Sequence, residues 1–453
     1  MKKIITIIAL SAYCGYITAQ QTYTLEQLLD SARLNNIAMR GARHDIEAAQ
    51  HGRKEAFTKY FPTISASGAW FRANKGIVQT AINPSQLIPA DMGAALAQSL
   101  SAEAVAAMAG TINISMLKNG TIAGITALQP VFAGGQIVNA NKLAKLGQDV
   151  AHLQLQLSEN DVEKTTQQYY WQIVTLQQKL NTITATEQML NNIHKDVETG
   201  VQAGLAMTND ILQVQLRQND VSSQRLTVEN NVSMMRMLLG QFAGLTPQDG
   251  ADYSFNVAVP SMDMQDNPLP TPLGENNAIS ILPEYQLLTK QVEAARLQKN
   301  ITIGQNLPTA GIGVAYNYHN LLDNNHSFGM VFATVNVPVS DWWGGAHAVR
   351  RKKTEYQKAQ EQLTDNAELL RIRMRRAWND VVETHQQLEI AQRSIEQAEE
   401  NLRIQRDAYN AGISTMSDLL EALLLFQQSC DKRADAFALY QGKLLEYRHA
   451  TGQ

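Results

Sequence analysis

The chain has 453 residues, a formal net charge of −4 and 18% charged residues, against roughly 25% in ordinary soluble domains. That near-balance excludes the basic surface that nucleic acid requires, so no nucleic-acid partner is expected. Cys14 and Cys430 are the whole cysteine complement, which excludes a disulfide-stapled fold once a leader carrying Cys14 is removed.

Lys2 and Lys3 precede an apolar run from Ile4 to Leu10, and Ile17-Thr18-Ala19 closes the segment. This is the pattern of a secretory signal peptide over 1–19. Lipidation at Cys14 is the alternative, with a bulky Tyr13 where such a site wants a small residue. After the leader, no apolar stretch reaches the roughly 20 residues of a membrane helix. Any membrane crossing must therefore use strands.

Thr24 to Phe57 is predicted as one helix, opened by a Thr24–Gln27 capping box. Pro62 ends it. From Thr63 to Phe71 residues alternate, with Ile64, Ala66, Gly68 and Trp70 on one side and Thr63, Ser65 and Ser67 on the other. Apolar-out, small-or-polar-in alternation over about 9–11 residues is what a lipid-facing barrel strand needs. Segment 74–119 reads as an extended Ala-rich loop with Pro84, Pro89 and a helical-looking run to Met108, and a partner strand follows from Ile122 to Phe132. Residues 136–200 hold no proline and, ahead of Gly200, a single glycine, Gly147. At 1.5 Å per residue such a helix extends ~100 Å. A return helix over about 207–243 makes an antiparallel hairpin that turns at Gly204.

Five prolines from Pro247 to Pro272 mark a linker at 246–275, and then the plan starts again. Ile312, Val314, Tyr316 and Tyr318 alternate with Gly311, Gly313, Ala315 and Asn317; a strand over Phe328–Val339 follows. Residues 346–411 lack both glycine and proline, and a return helix over about 415–451 turns at Gly412. Pro130 and Pro338, Gly204 and Gly412, Asp210 and Asp418, and Gly244 and Gly452 are each 208 apart. Pro62 and Pro308 are 246 apart, so the first copy carries 38 surplus residues between its strands. A repeat that keeps its helix lengths and varies one loop is an architectural signal. The first repeat is 20–245 and the second 276–453.

Four strands cannot close a barrel, and open edges in lipid leave backbone groups unpaired at several kcal/mol each. Several chains must join, and a trimer is the simplest assembly that leaves a lumen. The histidines show no metal spacing, and no phosphate loop, nucleophile elbow or Cys-x-x-Cys is present. Neither cofactor nor enzymatic activity is expected. A secreted coiled-coil scaffold is the alternative class.

The ordered set Tyr23-Thr24-Leu25-Glu26-Gln27-Leu28, Phe61-Pro62, Pro130-Val131-Phe132-Ala133-Gly134-Gly135, Leu307-Pro308 and the Ala203-Gly204 and Ala411-Gly412 tips resembles the TolC family of outer-membrane efflux and secretion channels. The resemblance spans essentially the whole mature chain. It implies an α+β membrane channel: a homotrimer whose shared 12-stranded antiparallel β-barrel, four strands per chain, continues into a long periplasmic α-helical barrel. It also implies a passive exit duct serving a periplasmic adaptor and an inner-membrane transporter. The linker 246–275 would form the equatorial decoration. The family's gate lies at the periplasmic tip. There Tyr409 matches a network tyrosine, Asp210 an acidic member, and Asp418 and Glu421 acidic positions after the second tip. Ala203, Gly204, Ala411 and Gly412 match adaptor-contact tips. Ser414 stands where the family has an arginine, which puts a charged tyrosine–arginine–aspartate link in doubt.

Overall fold

The computed structural model describes residues 21–82, 101, 112–116, 118–245, 253, 255–272, 274, 278–321, 324–339 and 341–453. The expected signal peptide and most of the helical-looking run before Met108 lie outside these residues. In chain order the elements are β1 (Gln21–Tyr23), α1 (Leu25–Asn35), α2 (Ile37–Thr58), β2 (Thr63–Arg72), β3 (Val78–Ile82), β4 (Ile112–Met116) and β5 (Asn119–Phe132). The first hairpin is α3 (Gln136–Gln202) and α4 (Thr208–Phe242). There follow β6 (Phe255–Val257), α5 (Pro283–Gln305), β7 (Thr309–Leu321), β8 (Asn324–Asn336) and the second hairpin, α6 (Asp341–Asn410) and α7 (Met416–Thr451).

Two compact units cut across the sequence repeat, so each copy contributes to both. One unit, from 51–145 and 294–356, holds a four-stranded antiparallel sheet in the order β2-β5-β7-β8. Its sides differ. Ile64, Trp70, Ile125, Ile312, Val314, Tyr316, Val331 and Val335 are exposed, and the registers put them all on one face. The other face is mixed, carrying Ser65, Ser67, Gly124, Thr126, Asn317 and Thr334 together with Ile122, Leu128 and Met330. Val331 is 83% exposed, a cost in water and a gain in lipid. Pro130 cannot donate to the ladder, and the register slips between Pro130 and Phe132. The 74–119 segment is not only loop: β3 and β4 pair as a separate antiparallel hairpin within it. Five-residue strands joined by a long intervening stretch gave no hairpin signature in the sequence.

The other unit comprises the described parts of 1–50, 146–293 and 357–453. The capping box opens α1 as expected, with Thr24 and Gln27 exchanging bonds at 3.0 and 3.3 Å. The single helix expected over 24–57 is broken at Asn36, whose ψ of 139° is extended. Its buried side chain accepts from the Ala38 N–H at 2.8 Å and donates to the Phe242 carbonyl at 2.9 Å. A side chain that restarts one helix and ties down the end of another outweighs helical continuity here. Leu28, Ala32, Ile173, Leu239, Phe255, Val257, Val381, Phe437 and Tyr440 form one buried core. The linker threads onto it. β6 pairs in parallel with β1, the Tyr170 hydroxyl donates to Ala258 O at 2.5 Å, and the Tyr440 hydroxyl donates to Pro268 O at 3.1 Å.

Candidate gate at the hairpin tips

Both long helices stop in the same way. Past α3, Gly204 takes φ +76°, Leu205 N–H donates back to Gly200 O at 2.8 Å, and Gly204 N–H to Val201 O at 3.0 Å. Past α6, Gly412 takes φ +71°, Ile413 N–H donates to Ala408 O at 2.9 Å, and Gly412 N–H to Tyr409 O at 2.9 Å. This is the Schellman closure, in which a left-handed residue lets two orphan carbonyls be paired. The residue after that glycine usually folds back onto the helix. Here Leu205 is 86% and Ile413 83% exposed. Ala203, Gly204, Ala411 and Gly412 are exposed beside them.

The return helices restart differently. Thr415 caps α7: its N–H and hydroxyl donate to Asp418 Oδ2 at 3.0 and 2.7 Å, and its Oγ1 accepts from Asp418 N–H at 3.2 Å. These bonds, the hydroxyl first, hold the Asp418 carboxyl below its usual range. At α4 the cap position is Met207, which offers no side-chain oxygen acceptor. Only half the box remains, Met207 N–H donating to Asp210 Oδ2 at 3.2 Å.

Behind the tips, Ile183, Leu190, Val197, Val214, Met416 and Leu419 form a second buried cluster that joins the two hairpins, with Tyr409 packed on it. Burial, and secondarily the Asp210 charge, pushes the Tyr409 hydroxyl above the usual phenol range. Tyr409 and Asp210, distant in sequence, thus lie within electrostatic reach of each other. Ser414 belongs to a second group: its Oγ is 2.8 Å from Gln405 Oε1 and 3.2 Å from Asp418 Oδ2. One hydroxyl proton can serve one of these acceptors at a time. Glu421 is exposed, about one turn along α7 from Asp418, and joins neither group. The structure also adds Gln405, Leu205 and Ile413 to the tip. Leu205 and Ile413 were signalled by their 208-residue spacing and their place after the tip glycines; Gln405 carried no signal. Among the described residues no group of three or more metal-ligating side chains is assembled, and no helix is long and apolar enough to cross a membrane.

Duplicated helical hairpins, each entered from a two-faced antiparallel sheet, define a class of envelope channel. The family model described as outer membrane efflux protein matches residues 28–244 and 283–453, and the chain belongs to that family. It is accordingly an outer-membrane channel protein, not an enzyme. The fold class expected from the sequence is that of this family. Among solved structures, the CmeC outer membrane channel of Campylobacter jejuni matches with TM-score 0.74 and 15% identity, over 94% of this chain and 85% of CmeC. The outer-membrane channel OprN matches with TM-score 0.74 and 14% identity, over 94% and 89%. VceC of Vibrio cholerae matches with TM-score 0.69 and 14% identity, over 94% and 96%. No curated protein sequence matches the chain.

Proposed function

We propose that this channel is the passive exit duct of a tripartite efflux pump or type I secretion system. In this reading it works as a homotrimer fed by an inner-membrane transporter and opened at its tips by a periplasmic adaptor. The observation that carries it is the pair Leu205 and Ile413, two large apolar side chains held in water at equivalent turns. Burying one such side chain is worth roughly 1.5–3 kcal/mol, so the tips are poised for a protein partner. Trimerisation is supported by the sheet, whose outer strands β2 and β8 are each paired on one edge only among the described residues. It is supported also by exposed Leu212, Leu216 and Leu226 along α4 and Leu369, Ile372 and Ile390 along α6.

Three copies of Asp418 and Glu421 around a narrow opening would repel one another and attract cations. An adaptor that binds the splayed tips would shift the population toward the open state. Closure would rest on the Tyr409–Asp210 proximity and the Gln405–Ser414–Asp418 hydrogen bonds instead of an arginine link. Photoreactive residues introduced at Ala203 and Ala411 in cells test this. Capture of a periplasmic adaptor is expected, and failure at both positions with the channel correctly inserted would overturn the adaptor reading.

A further inference from the structure

The two hairpins of the sheet are register-equivalent. Adding 246 to the residues of β2 and 208 to those of β5 turns the pair Thr63–Leu128 into Thr309–Asn336, and Ser67–Gly124 into Gly313–Phe332. Both converted pairs are the ones found between β7 and β8. The repeat therefore fixes hydrogen-bond register as well as topology. One junction between copies exists inside the chain, where β5 of the first meets β7 of the second, pairing Leu128 with Gly313, Thr126 with Ala315 and Ala127 with Val314.

From this equivalence we infer the register in which β8 of one chain pairs with β2 of the next, an inference that rests on the shared-barrel reading above. The same conversion sets Asn336 opposite Ser67, Thr334 opposite Ala69, Val335 opposite Gly68 and Ala333 opposite Trp70. Two features agree with it, the first a consequence of the conversion and the second separate from it. Every pair joins residues of the same face, which a one-residue slip would destroy. Bulk also meets space: Trp70, 70% exposed, meets an alanine, and Val335, 71% exposed, meets a glycine. The same conversion extends to the helices. The ion pair Lys164–Glu446 at 2.9 Å between α3 and α7 converts to Ile372 of α6 and Leu238 of α4 on adjacent chains. Both are exposed apolar residues in the single chain.

Cysteine pairs read this directly. In a Cys430→Ser background, Ser67→Cys with Asn336→Cys is placed in one chain, beside the displaced pair Ala69→Cys with Asn336→Cys. An intrachain control is Ser65→Cys with Thr126→Cys, which are cross-strand partners. Outer membranes are treated with a short thiol-specific crosslinker. The expected result is covalent trimers from 67/336, with at least tenfold less product from 69/336. Trimers formed preferentially by 69/336 would refute this register while leaving a shared barrel intact. No intermolecular product from either pair, with the control fully reacted, would refute the shared barrel itself.

Discussion

Thr415 and Asp418 hold each other: the hydroxyl donates to the carboxylate at 2.7 Å and accepts from the Asp418 N–H at 3.2 Å. The first tip has no counterpart, because Met207 stands at the cap of α4. Thr415→Ala should therefore weaken the second tip by about 1 kcal/mol, the usual worth of an N-cap, while Met207→Thr should strengthen the first. Hydrogen exchange in the first turns of α7 and α4 measures both. The pH dependence follows from the lowered Asp418 value. The cap's contribution is present above the ordinary Asp range and is lost as pH falls through the lower folded value. Protection at the start of α7 should stay level from neutral pH down to about 5 and decline only in more acidic solution.

Leu205→Ser and Ile413→Ser separate stability from partner binding. Both side chains are already in water, so unfolding stability should change by no more than about 0.5 kcal/mol. Adaptor capture in cells should fall severalfold for the double variant. A double variant that captures as well as the parent would remove these residues from the contact.

Glu163 links α3 to α1 and α7, lying 3.3 Å from Arg33 and 3.7 Å from His449. Nearby His449 first, and Arg33 after it, hold its carboxyl below the usual range, against the opposing effect of burial. Its stabilisation is present above the ordinary Glu range and is lost as pH falls through the lower folded value. Glu163→Gln should cost about 1–2 kcal/mol at neutral pH. Denaturant melts of wild type and variant should converge in acid.

Asp431 behaves oppositely. Burial first, and Asp435 after it, push this half-buried carboxyl up to about 6, with Lys179 opposing. Because the folded value is raised, ionising the group costs stability. The penalty begins near the unfolded value, about 4, and is complete once pH has risen through the folded one. Asp431→Asn should therefore raise the melting temperature at pH 8 and leave it unchanged near pH 4. A variant less stable than wild type at pH 8 would contradict this assignment.

Asp418→Asn and Glu421→Gln together should reduce the cation preference of single channels if the two carboxylates ring the tip opening. Unchanged selectivity in planar bilayers would place the constriction elsewhere.

Much of this fold was legible because its signals are long. The glycine- and proline-free run at 346–411 became α6, and the 208-residue spacing of Gly204 and Gly412 marked both turns. Alternation in 311–318 placed β7, though its ends at Thr309 and Leu321 were set by pairing with β8. The break at Asn36 was invisible because its cause is the Phe242 carbonyl, 206 residues away. The β1–β6 pair escaped notice because three-residue strands carry no period. At the tip the acidic positions were legible from the repeat, but their partners were not. Gln405 reaches Ser414 only because the chain reverses between them.

The claim beneath all of this is that one chain cannot seal its own sheet. Native mass spectrometry of the detergent-extracted protein, with conductance recorded on the same fraction, tests it most directly. Three chains in the conducting species is the predicted result. A conducting monomer would contradict the account.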